Sequence, residues 1–196
     1  MRFLRIARNM KRGGMVAAVA TLGAASLVAG TASSAQAATL YNIKASHSGK
    51  ILSVAKQFGA QSAKAGDKIV QVTANVREAQ WIVHSVGGNL ETYELRDKIK
   101  APNGALVTGC IDTQVTRENN VPIVIEPCDG TDSQKWEYVS AGISGAYSIR
   151  NHAARSTNMY WHVLNASNQE NFPLVQFLGP GGANAKFLFK PVGSTV

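Results

Sequence analysis

Bulky aromatic residues recur along the chain at a nearly constant interval. Trp81 in EAQWIVHSV, Trp136 in SQKWEYV and Phe187 in ANAKFLFKPV stand 55 and 51 residues apart. Tyr41, Tyr93 and Tyr147, which open YNIKAS, YELRDK and YSIRNH, keep nearly the same interval, 52 and 54 residues. Self-similarity at about fifty residues marks a supersecondary unit that repeats and cannot bury its apolar face alone. Each Tyr opens a unit and each Trp or Phe nearly closes it.

Between these markers the interior order is the same three times. A short apolar stretch comes first: KILSV (50–54), GCIDT (109–113) and MYWHV (159–163). A polar loop follows, and then an alternating stretch: KIVQVTA (68–74), VPIVIEP (121–127) and PLVQFLG (173–179). Alternation with period two, bounded by Gly, Asn, Asp and Pro, predicts strands, and little of the chain carries a helical period. The expected fold is all-β: three four-stranded repeats, about 40–90, 91–144 and 145–196, related by a pseudo-threefold axis. A closed barrel with a hairpin cap lets three such units share one core and leaves no open sheet edge. Trp81, Trp136 and Phe187 are then core residues that meet near the axis, not a stacking platform.

The first 37 residues stand apart from this pattern. MRFLRIARNMKRGG carries Arg2, Arg5, Arg8, Lys11 and Arg12 with no acid, an Ala-rich apolar run follows, and Ala35-Gln36-Ala37 supplies the small residues a signal peptidase needs. A secretory signal peptide spanning 1–37 is expected, and the apolar run falls short of the roughly 20 residues of a membrane span. The formal charge of +8 drops accordingly: five of 20 Lys+Arg lie in the leader and none of the 12 Asp+Glu, leaving 15 basic against 12 acidic groups, or +3. With the remaining cations scattered singly and no aromatic RNP-type motif, nucleic acid is not an expected partner. Residues 38–196 form one domain able to bury a sizeable core. In an oxidising compartment Cys110 and Cys128 are expected to pair. A metal site or catalytic thiol would need a CxxC or paired histidines, and His47, His84, His152 and His162 are dispersed.

A Q-x-W triplet at Gln134–Trp136, recurring positions at Trp81 and Phe187, and the run GCIDT…NVPIVIEPCDGTDSQKW resemble the ricin B-type (QxW) β-trefoil lectins, many of them secreted by soil bacteria. The likeness spans nearly all of 40–192 and is strongest in the middle unit. The first unit has Ala79-Gln80-Trp81, with its Gln displaced by one, and the third has Ala185-Lys186-Phe187. The resemblance implies a carbohydrate-binding module that grips hydroxyls with a carboxylate or amide and lays a ring under the apolar sugar face. It places an Asp on the early Cys-x-Asp strand, a ring after the later strand, and an Asn just before the triplet.

Transferred by position, the first unit offers Ser53, Thr73 and Glu78, and its site is expected to be lost. The middle unit keeps Asp112 but has Glu126 at the ring position and Ser133 at the Asn position. The third has His162 for the Asp, Leu178 for the ring, and keeps Asn184. Gln71 and Gln176 occupy a polar position in the outer units where the middle unit has Val124. Candidate sugar contacts are therefore Asp112, Glu126, Ser133, His162, Gln176 and Asn184, with Phe58, Tyr160, Trp161 and Phe177 as possible substitute rings. Trp161 aligns with Leu52 and Ile111, which favours a core role. Asp112 could equally cap a turn.

Gly-rich LGPGGANAK (178–186) lacks GxxxxGK[ST] and a following helix, so it reads as a hairpin turn. Asn165-Ala166-Ser167 matches a glycosylation sequon, which carries little meaning behind a bacterial-type leader. No GxSxG, HExxH or recognisable carboxylate pair argues for an enzyme, and no cofactor is expected. Two partners remain in view. One is a glycan, a galactose-like sugar or polysaccharide. The other is a protein held by a trefoil whose sugar sites have decayed, a reading that resembles the accessory subunits of cytolethal distending toxins.

Overall fold

The computed structural model describes residues 38–56, 62–115, 117–142 and 145–194. The expected leader and Phe58 lie outside the described residues. Fifteen strands follow in chain order: β1 (Thr39–Ala45), β2 (Ile51–Val54), β3 (Ile69–Val72), β4 (Trp81–Gly87), β5 (Leu90–Leu95), β6 (Ile99–Lys100), β7 (Leu106–Val107), β8 (Gly109–Asp112), β9 (Val121–Pro122), β10 (Val124–Pro127), β11 (Trp136–Ser140), β12 (Ala146–Asn151), β13 (Met159–Val163), β14 (Phe172–Leu178) and β15 (Phe187–Ser194). Among the described residues there is no α-helix, only 3-10 turns.

Six strands close on themselves. β1 pairs with β4, β4 with β5, β5 with β11, β11 with β12, β12 with β15, and β15 with β1, all antiparallel. Every strand of this ring has a neighbour on both sides, so no edge is left open. The remaining long strands form hairpins, β2–β3, β8–β10 and β13–β14, each attached to the ring through β1, β5 or β12. The stretch VPIVIEP is divided into β9 and β10 because Ile123 turns its N–H to Leu174 (3.0 Å), while β9 pairs with β14.

Period-two alternation fills the ring in layers. Trp81, Trp136 and Phe187 begin β4, β11 and β15, and all three are fully buried in one apolar cluster with Ile43, Tyr93 and Ile149. The indole N–H of Trp81 donates to the Leu52 carbonyl (3.0 Å) and that of Trp136 to the Ile111 carbonyl (3.2 Å), tying each closing strand to its own hairpin. Phe187 has no N–H to give. Trp161 supplies bulk instead at the position of Leu52 and Ile111, with ring centroids 5.7 Å from Phe187 and 5.0 Å from Trp136. Its own N–H is buried and, among the described residues, has no partner, a loss of about 1–3 kcal/mol against a satisfied donor.

Strand register corrects one sequence marker. Trp81 lies opposite Tyr41, Trp136 opposite Glu91, and Phe187 opposite Tyr147. The counterpart of Tyr41 and Tyr147 is therefore Glu91, whereas Tyr93 sits two residues deeper with Ile43 and Ile149 and is fully buried.

Cys110 and Cys128 are disulfide-bonded across 18 residues, joining β8 to the loop after β10. Among the described residues no helix is long and apolar enough to cross a membrane, and no three His, Cys, Asp or Glu side chains gather as a metal cluster.

Candidate functional site

The three hairpins settle which residues are equivalent. Asp112 faces Val124, His162 faces Val175, and Ser53 faces Val70. Two residues along the returning strand, Glu126 faces Cys110, Phe177 faces Tyr160, and Val72 faces Ile51. The counterparts of Glu126 are thus Val72 and Phe177, not Thr73 and Leu178 as the sequence suggested. That one-residue correction puts a ring into the last hairpin.

The polar position shifts in the same way. Gln71 and Gln176 match Ile125, not Val124, and both are fully buried. Gln71 donates to the carbonyls of Ser167 and Gln169 (both 2.7 Å) and accepts from Ser48 (2.8 Å). Gln176 accepts from Thr113 and Asn151 (both 3.4 Å) and donates to Glu118 (3.5 Å). Each amide holds a loop of another segment, and Gln176 presents no surface to a ligand.

In the first segment Ser53 is buried and, among the described residues, its hydroxyl reaches only the Val54 carbonyl (3.4 Å). Glu78 is ion-paired with Lys56 (2.6 Å), and Thr73 is held by Lys50 and Glu170.

In the middle segment Asp112 and Glu126 line a hollow of about 390 Å³ with Lys68, Thr113, Val121 and Pro122. Among the described residues its lining contains no aromatic side chain. Asp112 Oδ1 accepts the Thr113 N–H (2.6 Å), a turn cap, and Oδ2 accepts from Gln134 Nε2 (2.9 Å). Gln134 also donates to the Pro127 carbonyl (2.8 Å) and accepts from the N–H groups of Asp129 (3.0 Å) and Gly130 (3.3 Å). Burial, with Asp112 and Asp129 nearby, pushes the Glu126 carboxyl above the usual range. Ser133 lies outside this lining, its hydroxyl paired with that of Thr131 (2.9 Å).

The last segment brings His162, Phe177 and Asn184 into one hollow of about 330 Å³, joined by Asn120 from the middle segment and by Asn165. Phe177 is 36% exposed, and its ring lies 5.2 Å from the His162 imidazole. His162 Nε2 donates to the Gly179 carbonyl (2.9 Å), which places its proton on that nitrogen and leaves Nδ1 as an acceptor. Asn184 Nδ2 donates to the Val163 carbonyl (3.1 Å) and points its second proton at His162 Nδ1 (3.4 Å). The Asn184 Oδ1 is left as the acceptor that can meet a ligand hydroxyl. Burial lowers the His162 pKa, with Lys186 acting in the same direction against the Gly179 bond, so the imidazole is neutral near pH 7.

The loop over this hollow is the Gly-rich stretch read as a turn. Gly181 has φ +54°, and a Cβ there would collide with the His162 ring, so the residue serves both the turn and the close approach. Of the candidate contacts, His162 and Asn184 share one hollow, Asp112 and Glu126 share another, and Ser133 and Gln176 belong to neither. Lys68, Asn120 and Asn165 were missed in the sequence because other segments or loops supply them. Tyr160 and Trp161 are buried.

No family model matches the chain, and no curated protein does. Solved structures do. A designed threefold-symmetric protein, ThreeFoil, is 21% identical with a TM-score of 0.64, over 78% of this chain and 99% of its own. The exo-β-1,3-galactanase 1,3Gal43A of Clostridium thermocellum is 22% identical with a TM-score of 0.62, over 79% of this chain but 30% of the enzyme. The C-half of an earthworm R-type lectin, solved in complex with GalNAc, is 15% identical with a TM-score of 0.51, over 79% of this chain and 99% of its own. The fold is a β-trefoil.

Proposed function

We propose that this protein is an exported, non-catalytic carbohydrate-binding module of the ricin B (QxW) type, built from three copies of a four-stranded unit, and that its working site is in the last copy. The observation that carries this reading is the convergence of Phe177, Asn184 and His162 on one hollow. A sugar laid on the Phe177 ring would offer a hydroxyl to Asn184 Oδ1, with the neutral imidazole beside it in place of the family's carboxylate. A GalNAc-bound lectin among the solved structures of this fold supports a galactose-like ligand. The middle hollow is the weaker one, because it can grip hydroxyls through Asp112 and Glu126 but has no ring beneath them.

Titration calorimetry with galactose, GalNAc and their β-linked oligosaccharides tests this on three variants. Binding is expected to fall in Phe177→Ala and Asn184→Ala and to survive in Asp112→Ala. Loss in Asp112→Ala alone would move the site to the middle copy.

A second reading, a trefoil whose surface holds a protein, is favoured by the ringless middle hollow and by a first segment whose Ser53, Thr73 and Glu78 are buried or already paired. A blank glycan array together with one protein recovered reproducibly from culture fluid would establish it instead.

A further inference from the structure

At the end of the barrel away from the hairpins, a second kind of hollow opens on the axis. Its volume is about 400 Å³, and its wall contains Tyr41, Glu91 and Tyr147 from the opening strands and Val83, Tyr138 and Phe189 from the closing ones. These are two sets of register-equivalent positions, since Tyr41, Glu91 and Tyr147 face Trp81, Trp136 and Phe187, and the other three lie two residues beyond those anchors. The basin belongs to no single hairpin and shares no residue with the hollow around His162.

Its chemistry is one-sided. Tyr138 lies 4.9 Å from Tyr147 and 5.2 Å from Phe189, with planes inclined at 36° and 76°, so the rings form a box and not the flat platform a sugar face requires. Among the described residues Glu91 has no ion-pair or hydrogen-bond partner, and no Lys or Arg lines the basin. The nearby His84 is paired with Glu94 (2.9 Å) and reaches Glu91 only through its longer-range charge, which opposes the effect of burial. Beneath the basin Tyr93 stacks on Phe189 at 5.8 Å, fully buried, its ring edge-on to that of Tyr138 at 6.4 Å. An unbalanced carboxylate among ring faces makes a region of negative potential with apolar walls, which suits a weakly hydrated cation.

We propose that this axial basin binds an organic ammonium group of the choline or trimethylamine class, with Glu91 as counter-ion and Tyr41, Tyr138, Tyr147 and Phe189 as its wall. A primary amine, more strongly hydrated, binds less well. The carboxyl of Glu91, pushed up by burial, is the group such a cation would keep ionised.

The test uses the full-length protein and two ligands of one shape, choline and its neutral carbon isostere 3,3-dimethylbutan-1-ol, followed by calorimetry and tyrosine fluorescence. Saturable choline binding at least about tenfold tighter than the isostere is expected, and about tenfold weaker binding in Glu91→Gln and Tyr147→Ala, with melting curves showing that both variants are folded. Phosphatidylcholine vesicles form a separate arm: co-sedimentation that Glu91→Gln abolishes would assign the ammonium to a lipid headgroup, and binding of free choline alone to a small molecule. Equal binding of choline and isostere, undiminished choline binding in Glu91→Gln, or no binding in either arm would overturn the proposal.

Discussion

Gln134 donates one amide hydrogen to Asp112 and the other to the Pro127 carbonyl, while its oxygen receives two backbone N–H groups from the turn at Asp129–Gly130. The middle residue of the Q-x-W signature is not what matters here. The Gln is a four-bonded pin between β8, the end of β10 and the 3-10 turn before β11. Ala79 and Ala185 hold the same place in the other segments, so those turns lack the pin.

Replacing this pin separates stability from packing volume. Gln134→Ala leaves the Asp112 carboxylate and two N–H groups short of partners, at a cost of about 2–4 kcal/mol. Urea unfolding of the variant should show a lower midpoint with an unchanged slope.

Phe177 is a surface ring with little packing to lose. Phe177→Ala should weaken sugar binding by roughly tenfold, the order of a lost stacking contact, and shift the melting temperature little. Leu178→Ala, altering the neighbour that points to the other face of β14, should leave affinity unchanged. Reversed effects in calorimetry would restore the original alignment.

Acid should loosen the last hairpin through His162. Its folded pKa lies below 6.5, so as pH falls through 6.5 toward that value the unfolded chain takes up a proton before the folded one does. Stability from the buried neutral ring is thus present above 6.5 and lost on acidification. Lys186 is the charged group acting on the ring and opposes protonation, while the neutral Gly179 carbonyl, accepting the Nε2 proton, favours it. Melting curves from pH 7.5 to 5 should fall more steeply for the parent than for His162→Gln.

The disulfide closes 18 residues of the middle segment. In the chain-entropy account a link of this length removes roughly 3 kcal/mol of denatured-state freedom. The double variant Cys110→Ala, Cys128→Ala should unfold at a lower temperature by about 2–4 °C per kcal/mol lost, for a domain of this size. Calorimetry under non-reducing conditions measures the difference.

Strands and core were legible because they rest on period two and on large apolar side chains, which leave a mark in any single chain. Trp81, Trp136 and Phe187 stood out for that reason. Register did not. Tyr93 looked like the partner of Tyr41 and Tyr147, yet the position belongs to Glu91, because the middle segment spaces its strands differently and residue type alone cannot count a loop. The same slip hid Phe177 behind Leu178, since adjacent strand residues face opposite ways and only the ladder with Tyr160 decides between them. Gln71 and Gln176 looked like ligand groups because a polar residue in an apolar strand invites that reading, and what they bind are backbone carbonyls of distant loops.

The seam between β1 and β15, where Leu40 lies opposite Gly193, sets Thr39 and Ser194 side by side. Sewing them together with a short linker and cutting instead in the Gly88–Asn89 turn between β4 and β5 would reorder the sequence and leave every ladder of the barrel in place. A tether joined at Thr39 or Ser194 would start from the basin end of the barrel, away from the three hairpins, and leave the His162 face open.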